Sequence, residues 1–156
     1  MTWALFHHNH LLFNSMNILI IGAGEIGQHL AGMLTIENHD VTIVDEQEDI
    51  LEEVGNHYDL LTIAGSGTSA QALVKAGVKK MDLVIAVTNV DEINMVAAMM
   101  SKRLGAKKTV ARIRNAEYSD PDSPVNPSDI GVDVVIQPER STANEILQLV
   151  KRAAAN

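Results

Sequence analysis

Three glycines and an acid near the start of the chain have the spacing of a site for nucleotide phosphates. Gly22, Gly24 and Gly27 form a Gly-x-Gly-x-x-Gly pattern, and Asp45 lies about twenty residues further on. The first glycine permits a tight turn, the second lets a pyrophosphate approach the backbone, and the third lets a helix pack closely on a strand. An acid at this offset can accept hydrogen bonds from ribose hydroxyls, and its charge would repel the 2′-phosphate of NADP.

The elements around the glycines are those that such a site needs. Asn17–Ile21 is an apolar, β-branched run that predicts a buried strand, and residues 41–44 predict a second strand that ends at Asp45. The stretch between them has apolar residues at helical spacing, namely Ile26, Leu30, Met33 and Leu34. The helix would present free N–H groups and the positive end of its dipole to phosphates. A tight turn that merely joins strand to helix is the alternative, but the order of these elements favours nucleotide binding.

Strands and helices alternate through the rest of the chain. Four further apolar runs predict strands, at residues 60–64, 82–87, 109–113 and 132–136. Helical patterns occupy residues 46–56, a short segment capped by Thr68 or Ser69, and residues 88–104 and 142–154. This alternation predicts an α/β fold of one domain (residues 16–156). Its architecture is a doubly wound, Rossmann-like parallel sheet with strand order 3-2-1-4-5-6.

The patterns also predict which helix faces are buried. In the helix at 88–104 the expected buried face consists of Ile93, Val96, Ala97, Met100 and Leu104. In the last helix it consists of Ala143, Ile146, Leu147 and Val150. Three of the four prolines fall within residues 115–130, which are therefore expected to form the longest irregular region.

A ligand of such a sheet lies across the carboxyl ends of the strands. The residues expected there are Gly22, Ala23, Gly24, Glu25, Ile26, Gly27, Asp45, Gly65, Thr88, Asn89 and Arg112. Thr88 and Asn89 would reach the second half of a dinucleotide, or serve only as a turn and helix cap. Arg112 and Arg114 fall on one face of their strand and Ile113 on the other. Ligand phosphates, acids across a subunit interface or surface salt bridges could supply the anions that these arginines need.

Composition excludes several classes of function. The chain has 156 residues, a net charge of −8, no basic cluster and no cysteine. Direct contact with nucleic acid or an anionic membrane is therefore not expected, nor is a disulfide or thiolate site. No apolar run is long enough to insert into a membrane. Residues 1–15 carry no charged side chain and lack the pattern of a secretory signal. We interpret them as an extension outside the native fold, added during cloning or derived from upstream sequence.

No catalytic constellation is evident. His29, His39 and His57 all fall away from the carboxyl ends of the predicted strands, and no metalloprotease, hydrolase or P-loop pattern occurs. The sheet uses nearly every residue, which leaves no domain for a second substrate. We therefore predict a nucleotide site without a catalytic residue or a metal, in a protein that is not an enzyme.

Three motifs resemble the nucleotide-binding domain of the TrkA family, the RCK or KTN class. They are the Gly-Ala-Gly-Glu-Ile-Gly run after the first strand, the Thr-x-x-Asp-Glu-x-Asn segment from Thr88 to Asn94, and Ala-Arg-x-Arg from Ala111. The resemblance implies a cytoplasmic regulator that binds NAD(H), or ATP or ADP as in relatives, and controls a membrane potassium transporter. It assigns the pyrophosphate to Gly22–Ile26, the adenosine ribose to Asp45, and further contacts to Thr88, Asn89 and Arg112.

The resemblance also implies how the domain assembles. Family members pair through this domain, so a homodimer or higher oligomer is expected, with ligand-dependent changes in subunit arrangement as the means of gating. Full-length members continue into further domains, which implies that these 156 residues are a fragment or a single-module subunit. Two other functions stay open, a small NAD-dependent oxidoreductase and a redox-sensing transcription regulator. The charge of −8 counts against the regulator, which needs a basic DNA-binding segment.

Overall fold

A computed structural model describes residues 15–137 and 142–155. The strands within these residues form one parallel sheet in the order β3-β2-β1-β4-β5-β6, as predicted. They are β1 Asn17–Ile21, β2 Asp40–Asp45, β3 Leu61–Ala64, β4 Leu83–Ala86, β5 Thr109–Arg112 and β6 Val134–Ile136. The order reverses between β1 and β4, and this switch point is where sheets of this kind leave a crevice for a ligand.

The centre of the sheet is covered on both faces. β4 is buried along its whole length and β1 from its second residue onward, whereas the edge strand β3 is mostly exposed. Uninterrupted runs of Ile, Leu and Val suit strands that contact helices on both sides. The strand predicted at residues 82–87 is confirmed as β4.

Helices lie on both faces of the sheet. Those within the described residues are α1 Glu25–Ile36, α2 Glu48–His57, α3 Ala70–Lys75, α4 Asp91–Arg103, α5 Ala116–Ser119 and α6 Thr142–Ala155. Apolar side chains of α1, α2 and α6 share one core with Ile18 and Ile20, and those of α3 and α4 pack on the opposite face. None of the described helices is long and apolar enough to cross a membrane.

The predicted buried face of α4 is wrong at two positions. Ile93 and Val96 are each 38% exposed, whereas Asn94 and Ser101 are completely buried. The helix approaches the sheet through small residues, Ala97 and Ala98, and through the hydrogen-bonded amide of Asn94. Hydropathy ranks isoleucine and valine above asparagine, but an asparagine whose polar atoms are all paired can be buried without penalty.

The remaining expectations for helices are largely confirmed. In α6, Ile146, Leu147 and Val150 are buried, while the side chain of Ala143 lies outside the described residues. Ser69, one of two predicted caps, accepts a hydrogen bond from the Ala72 amide at the start of α3. Residues 115–130 are less irregular than expected, because they contain α5 and a 3-10 turn, Pro127–Ile130. Asparagine side chains cap both short helices.

Candidate nucleotide-binding site

The turn after β1 depends on glycine at two positions. Gly22 has φ +105°, and a Cβ there would lie 3.1 Å from the backbone nitrogen of Thr88. A Cβ on Gly27 would lie 1.8 Å from the carbonyl oxygen of Gly22. These contacts join the start of α1 to β1 and bring the end of β4 against the turn. The close packing that the glycine pattern predicts is therefore present.

Gly24 has a different environment from its two neighbours in the pattern. It is exposed, and a Cβ at this position would meet no described atom within 4 Å. Gly24 caps α1 but has no side chain that could bond to the first-turn amides. Those amides have no acceptor within the helix, so they are available to an anion together with the positive end of the helix dipole.

Both oxygens of the Asp45 carboxylate are held by backbone amides. Oδ2 accepts a hydrogen bond from the Ala23 amide at 2.7 Å, and Oδ1 accepts one from the Gln47 amide at 2.8 Å. Each carboxylate oxygen can accept more than one hydrogen bond, so both remain able to receive a hydroxyl. Asp45 therefore links the two βα turns and presents a fixed acceptor beside the start of α1.

Arg112 comes from β5 and reaches the same place from the other side of the switch point. Its Nη1 lies 3.5 Å from the Thr88 carbonyl oxygen and 3.4 Å from Asn89 Oδ1, both long contacts. Its buried Nε has no hydrogen-bond partner among the residues that the structure describes. Burial and the nearby charge of Arg114 lower the pKa of Arg112, and Asp91 raises it in part. The guanidinium stays charged, so a buried unpaired donor here favours an anionic ligand.

Arg114 is held by the protein itself. Its Nη2 donates to the Asn89 carbonyl oxygen, and its Nε lies 3.8 Å from Asp91 Oδ1. Ile113, between the two arginines, is fully buried on the opposite face, as the alternation predicts. Of the three possible sources of anions, an ion pair within the chain applies to Arg114. The other two sources, ligand phosphates and acids across a subunit interface, are left for Arg112.

These residues enclose a cleft of about 240 Å³ at the carboxyl ends of the strands. It is lined by Gly22, Gly24, Glu25, Ile26, Asp45, Gln47, Ile50, Val87, Thr88, Asn89 and Arg112. Eight of the eleven predicted site residues are in this set. Ala23 contributes its amide to Asp45 and Gly27 packs beneath the turn, while Gly65 lies outside the lining with its Cβ position 2.9 Å from Ala72.

Four lining or supporting residues were not among the predicted site residues, and one of them, Val87, is the last residue of the strand predicted at 82–87. Gln47 and Ile50 come from the start of α2, and the sequence feature that could have indicated them is their proximity to Asp45 in the chain. Asn94 is buried beneath the cleft and bonds to both Thr88 and Arg112. Its position at the end of the Thr-x-x-Asp-Glu-x-Asn segment was the available signal, but hydropathy placed it on an exposed face.

A larger groove of about 750 Å³ lies at the amino ends of the strands. Its described lining includes Ile36, His39 and Lys151, and none of the described lining residues belongs to a glycine turn or to the start of a helix. Within the described residues, no group of three histidines, cysteines or acids is arranged to hold a metal ion. Among the described residues, the features suited to a phosphate and a ribose are therefore concentrated in the smaller cleft.

Comparison with known proteins agrees with the fold. The TrkA-N domain family model matches residues 18–138. The chain belongs to the TrkA-N domain family. The Trk system potassium uptake protein TrkA of Haemophilus influenzae is 41% identical to it over 137 residues, which cover 86% of this chain and 30% of that protein. The chain thus spans about a third of the length of such relatives.

Solved structures share the fold of this TrkA-N domain. The GsuK structure described as bound to ADP has a TM-score of 0.64 and 26% identity, over 88% of this chain and 34% of that one. The GsuK channel described as bound to NAD has a TM-score of 0.66 and 20% identity, over 79% of this chain and 21% of that one. At 20% identity, the NAD-bound structure supports the fold alone.

Proposed function

We propose that this TrkA-N domain binds NAD(H) across the cleft and acts as the nucleotide-sensing part of a regulator of a membrane potassium transporter. The observation that carries the proposal is the presence of a glycine turn and a fixed Asp45 on one side of the cleft and, on the other, of Arg112, whose buried Nε has no partner among the described residues. A ligand with a pyrophosphate and two riboses has complementary groups for both sides. Relatives named for potassium uptake support the choice of process, and the GsuK structure with ADP supports an adenine nucleotide as ligand.

The proposed pose follows from the chemistry of each side. The pyrophosphate lies over Gly22–Ile26, where first-turn amides and the helix dipole favour negative charge. The adenosine ribose bonds to Asp45, whose orientation is set by the Ala23 and Gln47 amides. The second half of the dinucleotide then extends toward Thr88 and Asn89, with Arg112 near the phosphates.

Adenine nucleotides would use the same site in part. AMP would occupy the side formed by the glycine turn and Asp45, and the longer phosphate chain of ADP or ATP would extend toward Arg112. The same residues can therefore bind ligands of different length. A sensor would respond to this difference in ligand length, because a dinucleotide contacts both sides of the switch point and AMP contacts one.

Regulation requires that ligands prefer one arrangement of subunits over another. We propose a homodimer or higher oligomer, peripheral to the inner face of the membrane, that contacts an integral-membrane transporter. A hinge between subunits through α6 would respond to the length of the bound ligand. A ligand shifts such an equilibrium only by its difference in affinity for the two states, and a tenfold difference corresponds to about 1.4 kcal/mol.

The proposed role is regulatory and not catalytic. Among the described residues that line the cleft, none is a histidine, lysine, tyrosine or cysteine. Its two carboxylates, Glu25 and Asp45, lie on the side of the glycine turn, where the proposed pose has the pyrophosphate and the adenosine ribose and not the nicotinamide. The Thr88 hydroxyl donates to the buried Asn94 Oδ1. Steady oxidation of NADH by the purified chain with small carbonyl compounds or quinones would favour an oxidoreductase instead.

A ligand comparison tests the proposal. Thermal unfolding of the 156-residue chain is measured with NADH, NAD, NADPH, ATP and AMP, while absorbance at the NADH band is followed in the same samples. Ligands that bind only the folded state raise the unfolding temperature in order of affinity. We expect NADH and NAD to stabilise the chain more than NADPH does, without consumption of NADH. Absence of a shift with every nucleotide would overturn the proposal.

A further inference from the structure

Asn94 is a polar residue at the centre of the fold that the binding chemistry does not itself require. It lies on the first turns of α4 and is 0% exposed. The cleft lining does not include it, and the residues that it contacts do line the cleft. Its role is therefore not direct contact with a nucleotide.

The hydrogen bonds of Asn94 use every polar atom of its amide. Oδ1 accepts from the Thr88 amide at 2.8 Å and from the Thr88 hydroxyl at 2.7 Å. Nδ2 donates to the Thr88 carbonyl oxygen at 3.1 Å and to the Arg112 carbonyl oxygen at 2.8 Å. The orientation of the side-chain amide is fixed. A flipped amide would place its N–H group against the Thr88 N–H group and its oxygen against the carbonyl oxygens of Thr88 and Arg112.

These bonds join the ends of two neighbouring strands at the point where the pairing of β4 with β5 ends. The last paired residues are Ala86 and Ala111, and Thr88 and Arg112 lie beyond them. Asn94 bonds to the backbone of both, so it sets the separation between the Thr88 turn and the Arg112 side chain. Asp45 and the glycine turn are held by other contacts, namely the Ala23 and Gln47 amides.

We infer that Asn94 is the positioning residue for the second half of the cleft, and that it determines affinity for dinucleotides without determining affinity for AMP. The inference rests on the proposed function. Loss of the two Nδ2 donors would let the Thr88 turn and the end of β5 separate. The Arg112 guanidinium would then no longer face the second phosphate of a dinucleotide, which AMP lacks.

Two variants and a matched control test this inference in the full chain. Asn94→Asp replaces the Nδ2 donors with an oxygen that faces two carbonyl oxygens, and Asn94→Ala removes the amide. Ser101→Ala is the control, because Ser101 is buried on the same helix and its hydroxyl has no partner among the described residues. Affinities for NADH and AMP are measured by calorimetry for the wild type and all three variants.

We expect NADH affinity to fall at least about tenfold in both Asn94 variants, and AMP affinity to change by less than about twofold. Ser101→Ala should match the wild type for both ligands. Equal losses for NADH and AMP would overturn the inference, because Asn94 would then support the whole site. Unchanged NADH affinity would also overturn it. A wild type that binds neither ligand would instead overturn the proposed function.

A measurement on the wild type applies if neither Asn94 variant folds. The side-chain amide protons of Asn94 are followed by NMR during titration with NADH and with AMP. We expect slow exchange of these protons, a chemical shift change with NADH and none with AMP. Rapid exchange, or equal changes with both nucleotides, would overturn the inference.

Discussion

The two halves of the cleft are constructed in different ways. The half around the glycine turn consists of backbone amides at the start of α1 and of one side chain, the Asp45 carboxylate, which two further backbone amides hold. The half around Arg112 consists of side chains from three segments, which meet through the buried amide of Asn94. The first half is sterically fixed, since a Cβ on Gly27 would lie 1.8 Å from an oxygen. The second depends on hydrogen bonds, and those of the Arg112 guanidinium are long.

This difference suggests a division of roles. A sterically fixed half can bind the part that all adenine nucleotides share. A half held by hydrogen bonds between segments can adjust to the groups that a ligand carries beyond its first phosphate. Substitutions in the first half should therefore affect every nucleotide, and substitutions in the second should discriminate between ligands.

The largest effect is expected for Gly27→Ala. The added methyl group would overlap the Gly22 carbonyl oxygen at 1.8 Å, so α1 must move away from β1. We expect the free energy of unfolding to fall by about 3 kcal/mol or more. Chemical denaturation of the wild type and the variant measures this change. A decrease in the free energy of unfolding below about 1 kcal/mol would show that the turn is not sterically fixed.

Gly24→Ala is the matched substitution three residues earlier. Gly24 has φ −72°, which alanine adopts readily, and its Cβ position is open. We expect the free energy of unfolding to change by about 0.5 kcal/mol or less. The methyl group would nonetheless occupy the path of the phosphates, so affinity for NADH and for AMP should fall together. Unchanged affinities in calorimetry would place the phosphates elsewhere.

Asp45→Ala tests the acceptor of the first half. Removal of a charged acceptor for ribose hydroxyls should lower the binding affinity for NADH and for AMP by about tenfold or more. The preference for NADH over NADPH should also disappear, since the repulsion of a 2′-phosphate is lost. Calorimetry with the three ligands measures both effects. If all three affinities are unchanged, Asp45 does not contact the ribose.

Arg112→Gln tests the second half. The variant keeps a polar side chain but removes the charge, so NADH affinity should fall about tenfold while AMP affinity stays within about twofold. Arg114→Gln is the control, because the protein itself already holds Arg114 through Asn89 and Asp91. A greater loss of NADH affinity in the control than in Arg112→Gln would exchange the roles of the two arginines.

The smallest effect concerns His39, at the amino ends of the strands and away from both halves. Its Nδ1 accepts a hydrogen bond from the Met16 amide, and burial lowers its pKa, although Glu37 and Asp40 raise it in part. With a folded-state pKa below the ordinary value of about 6.5, the unfolded chain binds the proton first as the pH falls. The contribution of His39 to stability should therefore be fully present above a pH of about 6.5 and smaller below it, so that unfolding is compared at a pH of about 7 and a pH of about 5.

The His39→Asn variant isolates this contribution. Asparagine provides an acceptor in place of Nδ1 but does not titrate, so its unfolding temperature should fall less between these pH values than that of the wild type. NADH affinity should be the same in both chains at neutral pH. An identical pH dependence of unfolding in the two chains would assign the effect to other groups.

Much of the fold could be predicted because its signals are local. Apolar runs marked β1 and β4, and alternation of strands and helices together with right-handed crossovers implied the strand order. The buried face of α4 could not be predicted in the same way. Ile93 and Val96 are more apolar than Asn94, and only the carbonyl groups of Thr88 and Arg112 make asparagine the better buried residue.

The first half of the cleft could be read from the order of the residues alone. Its glycines, helix and acid succeed one another between Gly22 and Asp45, so their spacing carries the geometry of the turn. In the second half, Thr88, Asn89 and Arg112 could be expected at the cleft from the ends of their strands. Their mutual contacts became visible only in the folded chain, where Arg112 meets Thr88 and Asn89, which precede it by 24 and 23 positions. Contacts of that range depend on strand register and on one buried amide, and neither leaves a periodic pattern in the residues that form it.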